Sequence, residues 1–121
     1  LELCGLDPVT GYFRDGFTTT DESDYGSHTV CAVVSAEFLE HQKSVGNDLS
    51  TPAPQFGFAG LKPGDRWAVC APRWQQALED GAACGVVLAA TNEAALEYIN
   101  SEDLMAHSVD VPPDLSELAE G

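Results

Sequence analysis

Two residues that could act as a nucleophile and its proton carrier stand close together in the first third of the chain, His28 and Cys31. A histidine can take the proton of a thiol, and the thiolate is the reactive form. Their spacing argues against a direct partnership, because side chains three apart on an extended strand point to opposite faces. Cys31, among Val30, Ala32 and Val33, then reads as an ordinary buried thiol. His28, close to Gly26, reads as more open and suited to bracing a loop. A thiol-dependent site therefore needs Cys31 or Cys70, with His28 delivered from elsewhere in the fold. Cys4, His28, Cys31 and Cys70 could in principle form a tetrahedral zinc set. No Cys-x-x-Cys pair occurs among positions 4, 31, 70 and 84, so the reading is no metal and four free, mostly buried thiols.

A second group of residues suits recognition rather than reaction. Asn47, Asp48, Ser50 and Thr51 form a polar stretch ending at Pro52. Such side chains either brace a loop by bonding its backbone or form a polar rim for a ligand. Arginine grips carboxylates and phosphates through two parallel bonds, and the chain has only Arg14, Arg66 and Arg73. Arg66 precedes Trp67 and Arg73 precedes Trp74, so an aromatic wall with a guanidinium fork is one reading. The competing one is tryptophan in the core with arginine paired to Asp65 or Asp48. The candidate ligand-binding set is Arg14, His28, Asn47, Asp48, Ser50, Arg66, Arg73 and Trp74. No Gly-rich phosphate loop, Gly-x-Ser-x-Gly or His-Glu-x-x-His is present, and no cofactor is expected.

Charge narrows the partners. Twenty Asp and Glu against five Lys and Arg give a formal charge of −15 over 121 residues. That surface repels phosphate backbones and anionic headgroups, which disfavours nucleic acid and membranes. The acids are scattered, which favours a solubilising surface suited to high salt over a docking face for a basic partner. No apolar run approaches the roughly 20 residues of a membrane span. Leu1-Glu2-Leu3-Cys4 is not the basic-then-apolar opening of a secretory signal. A soluble, cytoplasmic protein is expected, its true N-terminus left open because the first residue is not Met.

The elements that must position these residues can be read from their punctuation. Residues 1–17 form an arm with turn chemistry at Asp7-Pro8, Gly11 and Asp15-Gly16 and a short extended piece at Val9 to Phe13. Thr18 to Gly26 is polar and expected at the surface. Thr29 to Val34 is apolar without alternation, predicting a central strand covered on both faces. Ser35 caps a helix that Gly46 ends. A long connection follows, closed by Pro63-Gly64 at the centre of a type II turn. Arg66 to Ala71 is a second strand, and Pro72 opens a helix stopped by Gly81. Val86 to Ala90 is a third strand. Thr91 caps a helix through Ile99, with Ala95, Leu96 and Ile99 inward, and Ser101 caps a last short one to His107. The sum is a single α+β domain over residues 1–109, a small mixed sheet of three to four strands with helices mainly on one face and long irregular loops. Residues 110–121 read as an acidic, mobile tail.

The motifs Gly26-Ser27-His28-Thr29-Val30-Cys31, Gly46-Asn47-Asp48-Leu49-Ser50-Thr51-Pro52 and Gly60-Leu61-Lys62-Pro63-Gly64-Asp65-Arg66-Trp67 carry a resemblance. With Asp7 to Gly16, Cys70, Arg73-Trp74 and Val86 to Thr91, they resemble a family of small bacterial proteins catalogued as a domain of unknown function. The resemblance implies a small α+β domain without an established activity, substrate or cofactor. That family often has cysteine after the Asp-Gly matched by Asp15-Gly16, where this chain has Phe17, which counts against a multi-cysteine site.

Three functions compete. The foremost is non-catalytic binding of a small molecule or anion between Arg14, His28 and the Asn47 to Thr51 loop. The second is a thiol enzyme using Cys31 or Cys70 with His28, and the third an acidic protein-interaction module.

Overall fold

The computed structural model describes residues 3–5, 10–56 and 60–110. The Asp7-Pro8 turn, Val9 and all of the expected tail except Asp110 lie outside the described residues.

β1 (His28–Val33) is the expected central strand. Its flanks are β2 (Arg66–Cys70) and β3 (Gly85–Val86), in the order β2-β1-β3, both paired antiparallel to it. A single parallel bridge, Val86 to Ser108, extends the β3 side. The small α+β fold read from the sequence is thus present, its three-stranded sheet antiparallel rather than mixed.

Each helix follows from local chemistry. Ser35 Oγ accepts the Phe38 N–H at 3.1 Å and opens α1 (Ala36–Ser44). Gly46, at φ 90°, lets the chain leave it in the left-handed region. Pro63 and Gly64 occupy the centre of a turn closed by Asp65 N–H to Lys62 C=O, with Gly64 at φ 96°, as a type II turn requires. α2 (Ala71–Glu79) begins on the residue after β2 with no intervening loop. The final helix, α3 (Ser101–Ala106), has Asn100 rather than Ser101 at its N-cap.

Residues 84–99 depart from expectation. β3 is two residues long rather than five, and Leu88–Ala90 turns into a 3-10 helix. The Asp110 carboxylate accepts the Leu88 and Ala89 N–H groups at 2.8 and 3.0 Å, donors that a longer strand would have offered to a neighbour. The segment expected as a helix from Thr91 is a 3-10 turn, Glu93–Glu97, capped by Asn92. Thr91 is engaged in the sheet instead, its Oγ accepting the Cys31 N–H and donating to Val87 C=O. Ala95 and Ile99 are buried as expected, whereas Leu96 is exposed.

Burial divides the sheet into two unequal faces. Val30, Ala32, Trp67 and Val69 pack with Phe38, Leu39, Trp74, Ile99 and Leu104 in the main core. On the other face Cys31, flanked by Val33, packs with Cys4, Val87 and Ala90. The arm is tied onto this smaller cluster. Thr10 Oγ accepts the Ala68 N–H at 2.6 Å, and Thr18 Oγ donates to Ala90 C=O at 2.6 Å. Thr10 thereby occupies a donor on the free edge of β2, a strand that would otherwise offer it to another chain. Residues 11–17 are turns and bends rather than an extended piece. The segment from Thr18 is not uniformly exposed, since Thr18 is buried to serve its bond to Ala90 and Asp24 is buried in the turn that leads into β1.

Cys4 and Cys31 are joined by a disulfide, with Cα atoms 5.6 Å apart. That corrects the expectation of four free thiols. Sequence spacing could not show it, because the arm carrying Cys4 reaches β1 only through the folds at Gly5, Thr10 and Gly16. Among the described residues, no helix is long and apolar enough to cross a membrane.

Candidate active site

Cys70 is both the last residue of β2 and the N-cap of α2. Its cross-strand partner is His28, the first residue of β1. The meeting depends on an irregularity. His28 pairs with Cys70 and Val30 with Val69, so β1 spends one residue more than β2 between these pairs. Such a bulge changes the side-chain alternation. His28 therefore shares a face with Cys70, and its Nε2 lies 3.3 Å from the Cys70 Sγ.

The other ring nitrogen is held equally closely. His28 Nδ1 lies 2.6 Å from Asp24 Oδ1, and the Asp24 side chain is fully shielded from solvent while His28 is partly open. Asp24 Oδ2 accepts the His28 backbone N–H at 2.8 Å and the Thr20 hydroxyl at 3.0 Å. A tight turn makes this geometry, with Ser27 N–H bonded to Asp24 C=O and Ser27 at φ 51°. A serine in the left-handed region costs on the order of 1 kcal/mol, and such strain concentrates at functional sites. The Ser27 carbonyl accepts the first N–H of α2, from Ala71, at 2.9 Å. The turn carrying the acid and the helix carrying the thiol are thus joined directly.

Electrostatics follows from these partners. The hydrogen bond with Cys70 is the largest influence on His28 and raises its pKa to about 9; burial opposes the rise, and the bond to Asp24 adds to it. Burial by itself would raise the Asp24 pKa, but bonds from the His28 ring and backbone and from Thr20 outweigh it and hold the carboxyl below its usual value. At neutral pH the ring is consequently an imidazolium between a carboxylate and a sulfur. The α2 N-terminus adds partial positive charge beside that sulfur.

Gly26 lies against the thiol. A Cβ there would sit 2.9 Å from Cys70 Sγ and 3.2 Å from His28 Cε1, so only glycine leaves both where they are. Tyr12 lies over His28, with ring centroids 5.7 Å apart, and Phe13 meets Tyr12 edge-on at 5.0 Å. The Tyr12 hydroxyl donates to Ser23 C=O, fastening the arm beside the site.

The cysteines thus sort themselves. Cys31 is consumed by the disulfide, so the pairing of His28 with Cys31 as nucleophile is replaced by His28 with Cys70. Burial pushes the Cys84 thiol up to about 12. Two sulfurs of the four-residue zinc set are bonded to each other. Among the described residues no group of three or more His, Cys, Asp and Glu could hold a metal ion.

The ligand-binding candidates do not converge. Arg14, itself at φ 53°, lays its guanidinium 5.0 Å above the Trp67 ring and donates to Gly11 C=O. Arg66 is exposed at the start of β2. Arg73 donates to Val45 C=O and to Gln76 Oε1, both at 3.4 Å. Trp74 is fully buried, its indole N–H on Cys84 C=O. Asp48 accepts four bonds from Ser50 and Thr51, led by the Thr51 hydroxyl at 2.6 Å, which pull its pKa to about 2. Asn47 donates to Gln42 Oε1 at 2.7 Å. These polar groups hold the long connection in shape. Sequence reasoning missed Asp24, Thr20, Gly26 and Tyr12; the one legible signal was an acid four residues before the histidine, across a Tyr-Gly-Ser suited to a tight turn.

A family model described as an uncharacterised protein conserved in bacteria (DUF2237) matches residues 1–108. The chain belongs to this family. A search of curated proteins found no match. The family carries no assigned activity, so the chemistry has to be argued from the site.

Proposed function

We propose that the protein is a thiol enzyme in which Cys70 is the nucleophile, His28 the proton carrier and Asp24 the residue that orients and charges the ring. The observation that carries this reading is the line of Cys70 Sγ, the His28 ring and Asp24 Oδ1, closed at 3.3 and 2.6 Å. The reaction this arrangement suits is acyl transfer. Cys70 sulfur adds to an electrophilic carbonyl carbon, and the leaving group departs with the proton of the His28 imidazolium. The neutral imidazole then takes a proton from water, which attacks the thioester and frees Cys70. The roles are geometric, as they are wherever such a set recurs.

The other readings have less support. The arginines expected to grip an anion each lie on a different part of the molecule, and the polar loop spends its groups on itself. We take the substrate to be a small electrophile rather than a nucleic acid, given the charge of −15. We take the compartment to be the cytoplasm, where a free thiol such as Cys70 stays reduced and a disulfide such as Cys4–Cys31 is more often catalytic than structural.

The test is site-resolved alkylation of the native protein by iodoacetamide, followed by turnover of an activated aryl ester. Fast labelling at Cys70, lost in His28→Ala, together with a burst of aryl alcohol absent from Cys70→Ala, is expected. Labelling of Cys70 no faster than that of a free model thiol in solution would overturn the proposal.

A further inference from the structure

The disulfide lies on the same sheet face as the proposed nucleophile. Cys31 pairs with Ala68 across β1 and β2, and Cys70 is two residues beyond Ala68. Residues two apart on a strand share a face, so Cys31, Cys70 and, through the bulge, His28 line one side. Diagonal cross-strand neighbours stand about 7–8 Å apart. Disulfides join Cα atoms about 4.4–6.8 Å apart, so a shift on the order of 1–2 Å at the strand end separates this arrangement from a Cys31–Cys70 bond. The bulge, where the ladder is already broken, is the place for such a shift.

Exposure separates the three sulfurs. Cys4 and Cys31 are 1% and 0% exposed, whereas Cys70 is partly open. A thiol in solution cannot touch the Cys4–Cys31 bond, but it can touch Cys70. The remaining free cysteine, Cys84, is buried. A domain of this size folds without crosslinks, which leaves room for a chemical use of this one.

We propose that Cys70 and the Cys4–Cys31 bond form a three-sulfur relay that passes a disulfide to external dithiols. This rests on Cys70 being the nucleophile argued above. Cys70 thiolate attacks Cys31 Sγ; the Cys31–Cys70 bond forms, the Cys4–Cys31 bond breaks, and Cys4 leaves, taking the proton of the His28 imidazolium. One thiolate of the external dithiol attacks Cys70 Sγ and releases Cys31, which is protonated from water. Its second thiolate attacks the first external sulfur, closing the external disulfide and releasing Cys70. The dithiol loses two electrons and two protons; the Cys4–Cys31 pair gains both as two thiols. Run in reverse, the same steps reduce an external disulfide.

The probe is dithiothreitol, added to the intact wild-type protein, to Cys70→Ser, and to wild-type protein whose Cys70 has been capped with iodoacetamide. The Cys4 and Cys31 thiols formed are trapped with maleimide and timed by peptide mass. Reduction of Cys4–Cys31 in the wild type is expected to be faster than in both blocked forms by about tenfold or more, because the reductant's path runs through Cys70. Equal rates in the wild type and the capped protein overturn the relay, and the capped sample keeps this decisive if Cys70→Ser does not fold. In Cys4→Ser, oxidation by diamide is expected to give a Cys31–Cys70 bond. The alkylation rate of Cys70, read in the same samples, separates the two failures. Fast alkylation with equal reduction rates sinks the relay alone, and slow alkylation sinks the nucleophile and the relay together.

Discussion

Asp24→Asn tests the electrostatic core of the site with almost no change of shape. The carboxylate has two acceptor atoms in use, Oδ1 on the His28 ring and Oδ2 on the His28 backbone N–H and the Thr20 hydroxyl. An amide has one acceptor and one donor, so either the ring or the backbone N–H of His28 loses its partner. A hydrogen bond to a charged group contributes roughly 1.5–3 kcal/mol, equivalent to about one to two pH units in the ring's titration. With 32% of the His28 side chain exposed, solvent screening favours the lower end, about one unit. The assay is an NMR titration of the imidazole in wild type and variant. The wild-type midpoint is expected near 9 and the variant's below it, with the Cys70 bond still holding it above the ordinary 6.5. A stability consequence follows with a definite sign. The folded pKa of His28 lies above its unfolded one, so its contribution is complete below pH 6.5 and is lost as pH rises through about 9. The urea midpoint of the wild type should fall across that window, and that of Asp24→Asn should fall less. A wild-type midpoint near 6.5, or an unchanged midpoint in the variant, would refute the proposed coupling of Asp24, His28 and Cys70.

Other consequences can be checked separately. Gly26→Ala should slow Cys70 alkylation and lower the His28 midpoint by pushing Sγ and the ring apart, with the fold retained by circular dichroism. Trp74→Ala should cost roughly 3–5 kcal/mol in denaturant unfolding, because it empties a fully buried position and strands the Cys84 carbonyl. Raising salt from low to molar concentration should raise the Tm, since it screens repulsion within a chain of charge −15; a flat response would contradict this.

The sequence made the framework legible where punctuation and apolar runs were unambiguous. The apolar Thr29 to Val34 run, Ser35 as a cap, Gly46 and Gly81 as stops, and Pro63-Gly64 as a turn all correspond to the structure within a residue or so. Val86 to Ala90 did not, because apolarity without alternation fits a buried strand and a partly exposed 3-10 turn of small residues equally well. The site was half legible. Cys70 and His28 were both candidates, but the parity rule for a regular strand separated His28 from its neighbours, and nothing in local composition announces a bulge. Asp24 went unread because three acids within four residues look like a solvated surface, and only the turn at Ser27 buries one of them. The Cys4–Cys31 bond depends on how the arm folds back, a long-range fact without a local signature.

The extra residue at the start of β1 gives the strand two allegiances. Downstream of it, alternate residues answer to the helical core; upstream, His28 answers to Cys70 and the turn. Had β1 kept regular alternation through Thr29, every side chain of the proposed site would still be in the chain and yet the imidazole would share the face of Val30, toward the apolar core. The chemistry is therefore encoded by a count as much as by residue identity. A search keyed to a fixed spacing of cysteine and histidine within one strand would select Cys31, whose sulfur is already spent, and pass over the cysteine on the next strand that meets the ring.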